Sequence, residues 1–249
     1  MKVKTENYDH LIVDIFGTLF NEEYEELKGA YKFIEKNLEK ITLVSNIGSI
    51  KGEDLKKKLN LIGKLSPIKV ITSLDLAIKY LKSNYSSSQI MHFGGKKAEQ
   101  ELSKLFHIQN CYSKSSDVLI MTSLPSENFI KDTQQAMRFF LETDKEILLA
   151  NPDRITPEPP FKIRVAMIFD MLRQQSKRLS KNIKFKEIGK PYLKRSDLKI
   201  KNRDKVLVIG DNPDTDISLA DSLQCESVLV TSKDNIKNKN YIDQIWRLI

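Results

Sequence analysis

Short apolar runs recur along this chain, and each breaks off at polar residues. Leu11-Ile12-Val13 stops at Asp14, Ile41-Thr42-Leu43-Val44 at Ser45-Asn46, and Val206-Leu207-Val208-Ile209 at Gly210-Asp211. Runs this short suit strands better than helices, and unbroken apolarity marks strands covered on both faces. Segments of helical spacing lie between them. Residues 22–40 carry Leu27, Ala30, Tyr31, Phe33, Ile34 and Leu38 close to one stripe, and residues 52–61 and 217–223 are also predicted helical. The alternation continues with strands predicted at 68–72, 89–94, 117–124, 146–150, 184–188 and 227–231, and helices at 96–106, 127–141 and 163–178. Ser73 is placed to cap the helix carrying Leu74, Ala77, Ile78 and Leu81. A proline-rich loop holds Pro157, Pro159 and Pro160. Such repetition predicts an α/β fold of parallel, helix-covered sheets.

The 249 residues, 40% of them apolar, suffice for one large or two modest domains. No window approaches the roughly 18 apolar residues of a membrane-spanning helix. Met1-Lys2-Val3-Lys4-Thr5-Glu6-Asn7 lacks the apolar stretch of a signal peptide, so a cytoplasmic location is expected. The net charge of +8 comes from dispersed lysines without zinc-finger spacing or an aromatic RNA-binding strand, which favours a solvated surface over a nucleic-acid partner. Cys111 and Cys225 are expected to be buried thiols rather than a bridge, and the three histidines are too scattered for a zinc site.

Four segments end apolar strands with reactive groups: Asp14 to Thr18, Ser45-Asn46, Gly189-Lys190-Pro191, and Gly210-Asp211-Asn212-Pro213-Asp214-Thr215-Asp216. Each alone is an ordinary turn or cap; together, at the ends where parallel sheets place their sites, they form a coherent set. Phosphoryl transfer requires positioning and neutralisation of anionic oxygens. Asp14 can attack phosphorus, Ser45-Asn46 can hold phosphate oxygens, and Lys190 supplies positive charge. Asp14 and Asp211 can clamp a Mg²⁺ ion, with Asp216 supporting the metal or orienting Lys190.

In this order the four motifs resemble those of the haloacid dehalogenase (HAD) superfamily of aspartate-nucleophile hydrolases. Gly189-Lys190-Pro191, Leu149-Ala150-Asn151-Pro152-Asp153 and Gly210-Asp211-Asn212 are similar to subfamily IIA, the NagD and p-nitrophenyl phosphatase-like branch. The resemblance implies a Rossmann-like, doubly wound core over residues 1–65 and 186–249, with an α/β cap inserted at 66–185. It implies Asp14 as nucleophile, a metal site formed by Asp14, the backbone carbonyl of Phe16 and Asp211 with Asp216 in support, and phosphate contacts from Ser45 and Lys190. It adds Asn46, Asn151 and Asp153 near the substrate, with Arg154 as a further substrate contact or a surface residue. A small phosphorylated metabolite is the implied substrate, and caps of this kind meet in homodimers.

One position departs from the family. Phosphatases of the superfamily carry Asp-x-Asp at the first motif, and the second Asp protonates the leaving group and activates water. Phe16 stands there and transfers no proton, forgoing general acid–base help worth about 10²–10⁴ in rate. Three readings follow: a Mg²⁺-dependent phosphatase attenuated or specialised for acyl or aryl phosphates, an inactive phosphate-binding or regulatory protein, and a dehalogenase. The last is least favoured, because only about 26 residues separate Phe16 from Thr42, leaving no room for a dehalogenase-type cap.

Overall fold

The first strand, β1 (His10–Asp14), is buried from Leu11 onward. The computed structural model describes residues 3–125, 128–156, 162–231 and 241–248. After β1 come α1 (Ala30–Lys36), β2 (Ile41–Ser45), α2 (Gly52–Lys58), β3 (Lys69–Thr72), α3 (Ser73–Asn84), β4 (Gln89–Phe93), α4 (Lys96–Ser103) and β5 (His107–Gln109). The order continues with β6 (Val118–Met121), α5 (Phe129–Glu142), β7 (Glu146–Leu149), α6 (Ala166–Arg178), β8 (Phe185–Glu187), α7 (Arg195–Leu198), β9 (Val206–Gly210), α8 (Ser218–Leu223), β10 (Glu226–Val230) and β11 (Tyr241–Ile242). Residues 1–45, 52–71 and 190–249 form one compact unit, and residues 46–51 and 72–189 form another.

The first unit holds a six-stranded sheet in the order β11-β10-β9-β1-β2-β3. β1 pairs in parallel with both neighbours, Asp14 opposite Val44 and Val13 opposite Ile209. That register brings Asp14, Ser45 and Asp211 to one carboxyl edge. The chain leaves β1 toward β2 on one side and returns as β9 on the other, so a topological switch point falls beside Asp14.

The second unit holds a parallel five-stranded sheet in the order β5-β4-β6-β7-β8. Its strands show why apolar runs are unbroken here. Ile90, Val118, Ile120 and Leu148 pack with Leu74, Ala77, Ile78 and Leu81 of α3. The alternate residues Met91, Leu119, Met121, Ile147 and Leu149 pack with Phe139 and Phe140 of α5 and Phe169 of α6. Successive strand residues point to opposite faces, and helices cover both. Each fully buried side chain of this size contributes roughly 1.5–3 kcal/mol.

Several local expectations are corrected. The helix predicted over 22–40 is confined to α1, because Asn21 folds the chain into a turn. Its Oδ1 accepts from the amides of Glu23 and Glu25 at 3.0 and 2.8 Å, Phe20 pairs antiparallel with Glu26, and Gly29 at φ +84° sets the start of the helix. Thr72, not Ser73, caps α3: its hydroxyl accepts from the Asp75 amide, while the Asp75 carboxylate accepts from the Thr72 amide at 2.9 Å. Neither cysteine is fully buried: Cys111 is exposed, and Cys225 is half-buried with its thiol pushed up to about 11 by burial. β5 and α7, of three and four residues, are too short to leave a periodic signal. The polar segment after β9, read in sequence as an ordinary turn or cap, winds into a π-helical turn, Pro213–Ile217. The loop around Pro157, Pro159 and Pro160, and Glu127 of the predicted helix 127–141, lie outside the described residues. Among those described, no helix is long and apolar enough to cross a membrane.

Candidate active site

Asp14 is the last residue of β1 and is nearly buried. Lys190 enters the same edge, 2% exposed, and donates to Asp14 Oδ1 and, at 2.6 Å, to Asp216 Oδ1. The second Asp216 oxygen accepts from the Asn212 amide at 3.1 Å. Asp216 thus has both oxygens engaged, which suits a role in fixing Lys190. Burial alone works against the ammonium; the two carboxylates outweigh it and hold the Lys190 pKa above the ordinary lysine range.

Asp211 completes the group. Its carboxylate shares with those of Asp14 and Asp216 a set of oxygens all within 4.8 Å of one another. Burial, then the nearby Asp14 and Asp216, push the Asp211 carboxyl up to about 9. Two glycines permit this crowding. A Cβ on Gly17, which has φ +83°, would lie 2.2 Å from Asp211 Oδ2, and one on Gly210 would lie 2.1 Å from Asp216 Cγ. Three carboxylates face one ammonium, so two negative charges are left to be balanced when all are ionised. A hard divalent cation with oxygen ligands fits that donor set and its charge.

Ser45 ends β2 at the same edge and is buried. Phe16 is half-buried, and its ring meets Tyr24 edge-to-face, with centroids 5.6 Å apart. Thr18 is buried with a hydroxyl lacking a hydrogen-bond partner among the described residues.

The remaining sequence-predicted residues belong to the second unit. Asn46 donates from Nδ2 to Asp153 Oδ1 at 2.9 Å, and its Oδ1 accepts from Ser73 Oγ at 3.3 Å. Gly189, at φ +119°, lies against the same group; a Cβ there would come within 2.5 Å of Ser73 Oγ and Asn46 Oδ1. Asn151 has a buried side-chain oxygen without a hydrogen-bond partner among the described residues. Arg154 is not a free surface group. It pairs with Asp170 at 3.1 and 3.2 Å and with Glu187 at 3.1 Å, and donates to the Pro152 carbonyl at 2.7 Å. Its role is to brace the Asn151-Pro152-Asp153 turn. Sequence reasoning took Ser73 only as a helix cap, not as a partner of Asn46, and missed Gly189 as a site of close approach.

Two family models match the chain, one described as haloacid dehalogenase-like hydrolase over residues 11–105 and one described as HAD-hydrolase-like over residues 187–240. No curated protein matches it in sequence. Among solved structures it is similar to a p-nitrophenyl phosphatase from Archaeoglobus fulgidus, with 18% identity, a TM-score of 0.76, and coverage of 95% of this chain and 96% of that one. A 4-nitrophenylphosphatase from Thermotoga maritima gives 16%, 0.77, 98% and 97% in the same order. A glycerol phosphate phosphatase from Mycobacterium tuberculosis, solved in complex with calcium, gives 19%, 0.71, 92% and 68%. With one model on the strand that carries Asp14 and the other on the segment that carries Lys190 and Asp211, the chain belongs to the haloacid dehalogenase-like hydrolases and has the fold of their NagD and p-nitrophenyl phosphatase branch.

Proposed function

We propose that the chain is a Mg²⁺-dependent phosphatase that works through an aspartyl-phosphate at Asp14 and is specialised for small substrates with good leaving groups. The observation that carries this reading is the Lys190 ammonium held between Asp14 and Asp216, with Asp211 completing the carboxylate group. Asp14 attacks phosphorus in line with the departing oxygen. Lys190 and the Ser45 hydroxyl hold phosphoryl oxygens, and Asp216 keeps Lys190 aimed. Asp14, the Phe16 backbone carbonyl and Asp211 would hold Mg²⁺, which when bound neutralises charge on the phosphoryl group. We assign Asn46, Asn151 and Asp153 to substrate selection, and the Asn151 oxygen, without a hydrogen-bond partner among the described residues, offers an acceptor.

Phe16 donates no proton, so the leaving oxygen departs as an anion. Acyl and aryl phosphates tolerate this, whereas sugar alkoxides do not. Loss of the second carboxylate also slows breakdown of the phospho-enzyme. The test is Phe16→Asp beside wild type, with acetyl phosphate and glycerol phosphate in Mg²⁺. The variant is expected to gain about 10²–10⁴-fold on glycerol phosphate and far less on acetyl phosphate. Equal rates on both substrates in wild type would show that Phe16 restricts nothing. A stable phosphate adduct on wild type after acetyl phosphate, without release, would mark arrested chemistry instead of turnover.

A further inference from the structure

Three consecutive lysines end α2, and they are not equivalent. Lys56 donates to the Ser66 carbonyl, and Lys57 pairs with Asp54 at 3.0 Å. Lys58 has no carboxylate partner among the described residues; its ammonium lies 4.9 Å from the centre of the Tyr24 ring. The same ring receives Phe16 edge-to-face, with planes at 77°. Tyr24 reaches this place with a backbone φ of +69°. For a bulky side chain that conformation is uncommon and persists only where the surroundings impose it. Here the Asn21 turn imposes it: Asn21 Oδ1 brackets Tyr24 by accepting from residues 23 and 25, and the Tyr24 amide donates to the Asn21 carbonyl at 3.1 Å. A turn needing only to reverse direction would place Gly or Asn there. This one holds an aromatic ring against residue 16, two positions from Asp14.

The geometry points to a leaving-group shelf: Phe16 and Tyr24 take the planar aromatic portion of a phosphorylated substrate, and Lys58 pairs with an anionic substituent at its far end. The inference rests on the phosphatase reading of Asp14 and deepens it. Lys58 stands one ring away from Phe16, with Tyr24 between them. The chemistry matches the lost proton donor. A bond forms between Asp14 and phosphorus as the bond from phosphorus to the aryl oxygen breaks. The electron pair leaves on that oxygen, and the aryl oxide takes its proton from solvent. Water then attacks phosphorus, releasing inorganic phosphate and restoring Asp14. An aryl oxide can depart without the carboxyl group that Phe16 replaces.

The test uses wild-type protein with Mg²⁺ and two non-hydrolysable probes, (4-carboxybenzyl)phosphonate and its uncharged 4-carbamoyl counterpart, titrated by calorimetry. The carboxylate probe is expected to bind about fivefold more tightly, the range of a solvent-accessible ion pair. Lys58→Gln, at an exposed position, should abolish that difference, and Tyr24→Ala should weaken both probes together. Equal affinity in wild type, no binding of either probe, or a preference that survives Lys58→Gln would each overturn the shelf. Acetyl phosphate turnover, which needs no ring, separates the two readings. Turnover without a probe preference removes the shelf alone; a probe preference without turnover keeps the shelf and removes the phosphatase.

Discussion

Two parallel sheets in this chain present polar residues at their carboxyl edges, and the two edges are built on opposite terms. In the first unit, Asp14, Asp211 and Asp216 crowd around one ammonium, and the Asp211 carboxyl is displaced far from its usual range. In the second, the edge is neutral or internally paired. His92 on β4 lies 2.8 Å from the Thr122 hydroxyl, Ser123 accepts from the Gly95 amide at 2.9 Å, and Asn46 joins Asp153. The segment 46–51 is seated against the same edge: a Cβ on Gly48 would come within 2.4 Å of the carbonyl oxygens of Thr122 and Ala150. One architecture therefore serves two ends. Charge left unbalanced favours ligand binding at the expense of stability, whereas polar groups that satisfy one another hold a loop in place.

The largest test of that contrast is chemical. Asp14→Asn should lower phosphate release from acetyl phosphate by about 10⁴-fold or more, as expected on removal of a nucleophile; a rate left intact would show that the charged edge is not where the reaction occurs. The next concerns the quiet edge under acid. Burial lowers the His92 pKa from 6.5 to about 4. Above pH 6.5 both folded and unfolded chains keep this ring neutral; as pH falls toward 4, only the unfolded chain gains the proton. Stability should therefore drop by up to about 3 kcal/mol across that window and then level off, and His92→Gln should flatten the drop in urea titrations.

Two smaller effects should run in opposite directions. Gly48→Ala forces a methyl group onto two backbone carbonyls and should cost about 2 kcal/mol in chemical denaturation. Asp211→Asn, measured in a chelator near neutral pH, should stabilise the protein by on the order of 1 kcal/mol, because the raised Asp211 carboxyl must take up a proton on folding whereas the amide need not, and should remove any stabilisation by Mg²⁺. If both substitutions destabilise equally, the difference between the edges is one of composition only.

The features legible in the sequence are the local ones. Val206 to Gly210 announces a buried strand because its neighbours along the chain are all apolar, and Asp211 follows directly. Asp14 and Ser45 are visible for the same reason. What stayed hidden depends on pairing across distance. Nothing near Asn46 signals that its amide meets Asp153 more than a hundred residues later. Arg154 looks available in sequence, yet Asp170 and Glu187 claim it. The stripe over 22–40 suggested one helix, but a single Asn21 side chain capturing two amides diverts its first part into the turn that carries Tyr24.

The partition of the chain has a consequence for any attempt to exchange its parts. Ser45 and Asn46 are adjacent, yet they fall in different units, and the path crosses from one unit to the other after residues 45, 51, 71 and 189. A graft of residues 72–189 onto a foreign core would carry Ser73, Asp153 and the carbonyls that flank Gly48, but not the six-residue segment that they receive. Heritable swaps of the second unit must therefore move two pieces of sequence together, and a recombination point placed between them would separate a key from its lock.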